Sequence, residues 1–318
     1  MNVAARAAGL VLRGLPSPIP RRQRRLTGRH AVVDGVPFVL PIDSVDTPAL
    51  MAGFTVDADA AAALLPGGEV HPLRLPGGRG VLVVTVINYR STDIGRYIEF
   101  SIALACTHGR RPAPPILGAL PWFFGTGQYV LDLPVSTEVS VKGGKGIWGM
   151  PKHQAPLDFV VDGTVDGGEA GAVPPGATVS SQYDHDGMLA LRVDIARPSF
   201  GPLPVKAGGV NYCAFRGMLM RSRVWFTGDA YVAMGRRASG RLVVGDAPRV
   251  KFLHDLDIAE SPLFTFYLPS TRGGLDDRVE AWFLTSPKPV TAPMEGLESV
   301  VDLGTGEDWP PGPVRHDR

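Results

Sequence analysis

Apolar and polar residues alternate along most of this chain. The stretches Gly80 to Arg90 (GVLVVTVINYR), Arg96 to Cys106 (RYIEFSIALAC), Ala177 to Tyr183 (ATVSSQY), Met188 to Ala196 (MLALRVDIA), Arg241 to Ala247 (RLVVGDA) and Val279 to Thr285 (VEAWFLT) carry a period of two. That period sends successive side chains to opposite faces of a strand. The same stretches are rich in β-branched and aromatic residues, as strands are. Asp184 to Gly187 (DHDG) separates two of them and reads as a turn, with Gly where a positive φ is often required. Helical signals are few. Asp57 to Gly68 (DADAAAALLPGG) opens on acids suited to a helix N-terminus and stops at Pro-Gly-Gly. Pro114 to Asp132 is apolar but broken by Pro and Gly, and reads as a short helix plus loop; Val161 to Thr178 reads as an exposed hairpin or loop. No internal repeat and no clear shift of composition divides the chain. The pattern predicts one α+β, mainly β domain over residues 31–287, preceded by an arm over 1–30 and followed by a polar, Pro-rich tail over 288–318.

Composition sharpens this picture. The chain has 318 residues, of which 44% are hydrophobic, enough for a sizeable core. Its 39 Gly and 30 Pro, set beside that apolar content, indicate a turn-rich β protein rather than a disordered one. A formal net charge of +1 gives no basic excess for nucleic acid. Cys106 and Cys213 both sit in apolar runs; they read as buried free thiols, and two cysteines build neither a disulfide scaffold nor, alone, a zinc site. In the arm, the cluster Arg21, Arg22, Arg24 and Arg25 comes after the short apolar run instead of before it, the wrong order for a secretory signal. No stretch approaches the ~18–20 apolar residues of a membrane span. The expectation is a cytoplasmic protein with no membrane and no nucleic-acid partner.

Several chemistries lack their motif. There is no GxxxxGK[ST], no GxGxxG between a strand and a helix, no HExxH and no GxSxG, and the seven histidines are scattered. The DHDG string lacks the further ligands of a calcium loop. What remains is Lys142 to Gln154 (KGGKGIWGMPKHQ), in which Lys152 comes after an apolar, glycine-rich turn and a fixed Pro151, walled by Ile147, Trp148 and Met150. An ordinary lysine, with a pKa of ~10.4, is almost all ammonium at neutral pH. Burial in apolar surroundings disfavours that charge, and a free amine attacks a ketone to form an iminium, an electron sink for breaking a carbon–carbon bond. The neighbouring Lys142 and Lys145 read as solvated charges.

Three segments resemble the acetoacetate decarboxylase superfamily. GKGIWGMPKH, Gly144 to His153, is similar to the family pattern G-R-E-x-x-G-x-P-K-K, whose first Lys of the pair forms the Schiff base; Lys152 falls on it. TDIGRYIEF, Thr92 to Phe100, is similar to D-x-G-x-Y-x-E and puts Glu99 on the family's site carboxylate with Tyr97 two before it. ASGRLVVGDAPRVKFLHDLDI, Ala238 to Ile258, resembles the family's C-terminal strand and the segment after it. The resemblance implies a cone- or barrel-like antiparallel or mixed sheet enclosing an apolar cavity, peripheral helices, a homo-oligomer, and no metal or organic cofactor. It implies Lys152, Glu99 and His153 as catalytic residues and Tyr97, Trp148 and Met150 as substrate-binding ones. The activity implied is decarboxylation of a small 3-oxo acid such as acetoacetate. The alternatives are aldol, dehydration or cyclisation chemistry on 2-oxo acids such as pyruvate, and a protein that only binds a carbonyl ligand. Two departures stand out: His153 replaces the second lysine, leaving burial to free the Lys152 amine nearly alone, and Thr47 stands where the family places a cavity arginine, with Arg90 or Arg96 as candidate substitutes.

Overall fold

The computed structural model describes residues 29–115, 124–162, 164–165, 173–215, 217–275 and 278–284. The arm before Arg29, the tail from 288, residues 116–123 of the stretch Pro114–Asp132 and residues 163 and 166–172 of the stretch Val161–Thr178 lie outside the described residues. The end of Pro114–Asp132, expected as loop, is instead part of strand Gly127–Val135, whose residues pair with Tyr97–His108.

A 13-stranded mixed sheet dominates the chain. From strand Gly127–Val135 its path runs through Tyr97–His108, Arg79–Tyr89, Ala49–Asp57 and Phe264–Leu268 to Met218–Met234. Strand Phe200–Phe215 then pairs antiparallel with Met218–Met234 and parallel with Gly127–Val135. The pairing closes the path into a ring. The chain is mainly β, as its alternation predicts, and the ring supplies the enclosing sheet. A second sheet of five strands, which includes Thr178–His185, Met188–Ala196 and Gly240–Val244, packs outside it.

Strands Arg79–Tyr89 and Tyr97–His108 are buried on both faces. In Arg79–Tyr89, Leu82, Val84 and Val86 join the core between ring and outer sheet, whereas Thr85, Ile87 and Tyr89 face the ring's interior. In Tyr97–His108, Ile98, Phe100, Ile102 and Leu104 point outward into that same core and Tyr97, Glu99 and Ser101 point inward. Val179, Tyr183, Leu191 and Val193 of the outer sheet complete the outer core, together with Val250, Leu253 and Leu256 of the 3-10 helix Pro248–Leu256. Cys106 and Cys213 are buried free thiols.

Turns obey their sequence signals. Asp186 and Gly187, at φ 52° and 76°, form a two-residue connection between Thr178–His185 and Met188–Ala196 within the turn expected over Asp184–Gly187, whose first two residues extend the strand. Helix Ala58–Ala63 starts where predicted, with Asp57 accepting from Asp59 N and Ala60 N at 2.9 and 2.8 Å, and ends before Pro66.

The expectation of a glycine-rich turn before Lys152 is overturned. Glu138–Trp148 is an α-helix. Each interior glycine costs roughly 1 kcal/mol of helix propensity against alanine, but close packing demands their lack of a side chain. A Cβ on Gly143 would meet Phe38 Cε1 at 2.7 Å, on Gly144 Lys152 Cδ at 2.3 Å, and on Gly146 Val33 Cγ1 at 2.7 Å. Val33 and Phe38 belong to the hairpin Arg29–Val33/Val36–Leu40, which lies against this helix.

Candidate active site

The ring encloses a cavity of about 320 Å³, within the ~300–1,000 Å³ typical of small-molecule sites. Its walls are largely apolar, among them Ile87, Ile94, Leu133, Trp225 and Phe226, with hydroxyls such as Ser44, Thr85 and Thr271 interspersed. Among the described lining residues only two side chains are charged, Lys152 and Glu99.

Helix Glu138–Trp148 and the short strand after it position Lys152. Gly149 closes the helix at φ 63°, with its N–H on Lys145 O and that of Met150 on Gly144 O, each at 3.0 Å. Pro151 then leads into strand Lys152–Gln154, which pairs parallel with Leu133–Val135. This register turns the Lys152 side chain inward across the face of Gly144, and Lys152 is 4% exposed.

Nζ donates to two acceptors. Glu99 Oε2 lies at 2.7 Å and Ser140 Oγ at 2.9 Å. The ammonium is therefore not isolated among apolar walls, as a reading of its own segment suggests; the carboxylate comes from a strand some fifty residues earlier. Tyr97 also approaches, with Nζ 5.5 Å from its ring centroid. Tyr97 is hydrogen-bonded to Ser140 and to Tyr89, and the two tyrosine rings stack at 4.4 Å and 20°. Burial, reinforced by the Glu99 carboxylate, holds both phenols well above their usual range, so both remain neutral hydroxyls.

Five of the six residues singled out from the sequence converge here: Tyr97, Glu99, Trp148, Met150 and Lys152 all line the cavity. His153 does not, because neighbours on a strand point to opposite faces. Its Nε2 lies 3.1 Å from Asp132 Oδ1 on the outer side. Asp132 also accepts from Arg249 Nε and Nη2 at 3.0 and 2.8 Å and from Tyr183 Oη at 3.0 Å. Burial by itself pushes the Asp132 carboxyl up, but the hydrogen bonds and charges of His153 and Arg249 outweigh it and hold the group below its ordinary value.

Thr47 does line the cavity, with Oγ1 donating to Val45 O at 3.3 Å. Neither Arg90 nor Arg96 reaches the lining; Arg90 Nη1 is 3.7 Å from Asp46 Oδ2. Lys152 is thus the one cation of the described lining. Sequence reading missed Ser140 and Tyr89. Tyr89 was accessible through its alternation with Thr85 and Ile87; Ser140 carried no signal, because only the helix packing brings it to the amine. Among the described residues no group of three or more His, Cys, Asp or Glu is placed to hold a metal, and no helix is long and apolar enough to cross a membrane.

The sequence profile of the acetoacetate decarboxylase (ADC) family matches residues 27–195, just over half of the chain and the part that contains Tyr97, Glu99, Ser140 and Lys152. No curated protein matches the sequence. Among solved structures the chain is similar to the enduracididine biosynthesis enzyme MppR complexed with pyruvate, with a TM-score of 0.52 and 18% identity over 76% of this chain and 90% of that one. It is similar to an acetoacetate decarboxylase with a TM-score of 0.53 and 14% identity, over 76% of this chain and 89% of that one. A third similar structure is the acetoacetate decarboxylase of Legionella pneumophila, with a TM-score of 0.51 and 13% identity over 84% of this chain and 93% of that one. At these identities the likeness establishes the fold.

Proposed function

The chain belongs to the acetoacetate decarboxylase family, and from that premise we propose that it is an enzyme whose Lys152 forms a Schiff base with a small oxo acid. The observation that carries this reading is an amine 4% exposed inside a closed ring, with a carboxylate 2.7 Å away. Glu99 takes the proton that Nζ must lose before it attacks, then returns it as the ketone oxygen departs as water. With a 3-oxo acid, the bond to the carboxylate carbon breaks, its electron pair flows to the iminium nitrogen and carbon dioxide leaves. The resulting enamine is protonated on carbon and hydrolysed to the ketone. Apolar walls favour this step, since they stabilise a carboxylate less than neutral carbon dioxide. Tyr97, Trp148 and Met150 bound the substrate, and the reaction uses no metal or organic cofactor.

A second reading keeps the iminium but uses the enamine of a 2-oxo acid such as pyruvate as a nucleophile toward an aldehyde. One observation supports it: no second cation accompanies Lys152 in the described lining to grip a carboxylate that is about to leave. The fold is shared with an acetoacetate decarboxylase and with an enzyme solved in complex with the condensation product of pyruvate and imidazole 4-carboxaldehyde, and does not divide the readings. We also propose a homo-oligomer, to be read by light scattering, in a reducing cytoplasm that keeps Cys106 and Cys213 as thiols.

Borohydride reduction in the presence of acetoacetate, or of pyruvate with an aldehyde, followed by peptide mass spectrometry tests the assignment. The expected adduct is on the peptide containing Lys152. An adduct on another lysine refutes that assignment, and no adduct with any oxo acid leaves a protein that only binds. Release of carbon dioxide against formation of a new carbon–carbon bond separates the two enzymatic readings.

A further inference from the structure

Iminium formation is a proton-transfer problem as much as a nucleophilic one. When Nζ adds to a carbonyl carbon, a C–N bond forms and the carbonyl pair moves to oxygen. One nitrogen proton must then reach that oxygen. Direct transfer passes through a strained four-membered arrangement. A hydroxyl lying between the two atoms relieves it by accepting from nitrogen and donating to oxygen at once.

Ser140 occupies such a place. Its Oγ is 2.9 Å from Nζ, and the residue is 0% exposed. An ammonium only donates, so Ser140 accepts from it and keeps its own hydrogen to give away; Tyr97 is its other polar neighbour. Glu99 and Ser140 engage two of the three N–H directions of a tetrahedral nitrogen. Once Glu99 has taken a proton, rotation about the Cε–Nζ bond turns the lone pair into the remaining direction, where a ketone carbon can bond. Its oxygen, bonded to the carbon that joins Nζ, then lies within hydrogen-bond reach of Oγ.

We infer that Ser140 is a catalytic residue that relays protons between Nζ and the substrate oxygen during formation and hydrolysis of the iminium, with Tyr97 and Tyr89 as positioning residues that hold its hydroxyl in place. This rests on the Schiff-base reading above and is indifferent to which reaction the iminium then undergoes. The balance closes without an external acid. The Lys152 ammonium gives one proton to Glu99 and the amine adds to the ketone. Ser140 carries a nitrogen proton to the oxygen, and the C–O bond breaks as water leaves with the proton stored on Glu99. Ammonium plus ketone becomes iminium plus water, with one positive charge on each side.

The test uses acetone, a ketone that has no carboxylate to lose, in ¹⁸O-labelled water. Each cycle of iminium formation and hydrolysis exchanges the carbonyl oxygen, which mass spectrometry reads after subtraction of the uncatalysed rate. Ser140→Ala is expected to slow exchange about 10²-fold, the lower end for general acid–base catalysis. The fraction of Lys152 trapped by borohydride at equilibrium with saturating acetone is expected to stay unchanged, since a relay speeds both directions alike. Ser140→Cys preserves volume with a weaker donor and is expected to fall between, which covers the case in which the alanine variant folds poorly. Exchange at the wild-type rate in these variants overturns the relay. So does a fall in trapped adduct that matches the fall in rate, which would reduce Ser140 to a prop for the amine. A wild-type protein with neither exchange nor adduct overturns the Schiff-base reading itself.

Discussion

Replacing Gly144 by alanine separates the position of the Lys152 amine from the stability of the fold. A Cβ at Gly144 would lie 2.3 Å from Lys152 Cδ, 2.7 Å from Cε and 3.0 Å from Cγ. Ordinary carbon contacts are ~3.5–4.0 Å, so the lysine stem must move by more than about 1 Å. The obstructed atoms belong to a flexible side chain and can move. Overpacking typically costs about 1–3 kcal/mol, and exchanging Gly for Ala within a helix returns roughly 1 kcal/mol. The net loss of stability is therefore small, about 0–2 kcal/mol. The amine, however, leaves its place between Glu99 and Ser140, and a displacement of about 1 Å can lower a rate ~10²-fold. The expected outcome is a cooperative unfolding transition close to wild type, together with a ~10²-fold slower approach to the borohydride-trapped adduct with acetoacetate. Gly146→Ala is the control. Its Cβ would meet Val33 Cγ1 and Cγ2 at 2.7 and 2.9 Å, so it perturbs the helix–hairpin contact and lowers stability while leaving the amine in place. Wild-type trapping kinetics in Gly144→Ala, or equal slowing in both variants, would refute the steric argument.

Lys152→Arg keeps a cation beside Glu99 but cannot offer a free amine, because a guanidinium stays protonated. Turnover and trapping should vanish while circular dichroism is retained, and residual turnover would exclude Lys152 as nucleophile. Glu99→Gln preserves shape and removes the proton acceptor; adduct formation should slow by about 10²–10⁴-fold in stopped-flow quench experiments, and an unaffected rate would assign the proton to another group. The depressed Asp132 carboxyl contributes stability that is fully present above its unfolded value near 4 and is lost as pH falls through the lower folded value. Urea midpoints should therefore drop below about pH 4 in the wild type, with a shallower drop in Asp132→Asn; identical acid profiles would show that the His153–Asp132–Arg249 contacts add nothing net.

Much of the fold was legible because alternation is a local signal. The six stretches read as strands fall where the pattern put them, and the turn lies within Asp184–Gly187, but the ring strands Ala49–Asp57, Gly127–Val135, Phe200–Phe215, Met218–Met234 and Phe264–Leu268 were not read as strands. The facing of Glu99 was not legible. Ile98 and Phe100 flank it, and a strand buried on both sides shows no polar face to orient it; the outer sheet covers Ile98 and Phe100 while the ring interior receives Glu99. His153 illustrates the opposite case. Its adjacency to Lys152 suggested a shared site, yet adjacency on a strand guarantees opposite faces.

By itself the chain's order of residues determined its mainly β character, the turn positions and the motifs that carry Tyr97, Glu99 and Lys152, because these depend on neighbours a few residues apart. Only the folded molecule decided that Gly143, Gly144 and Gly146 lie in a helix, that Ser140 reaches the amine and that Arg90 stays outside the cavity. The reason is that each of these outcomes depends on a surface supplied from far along the chain. The Val33–Phe38 hairpin packs on the helix, and the Tyr97–His108 strand brings Glu99 to the amine that Ser140 of the helix also reaches. Close packing, with no room for a single added carbon at those glycines, then overrides what the local sequence prefers.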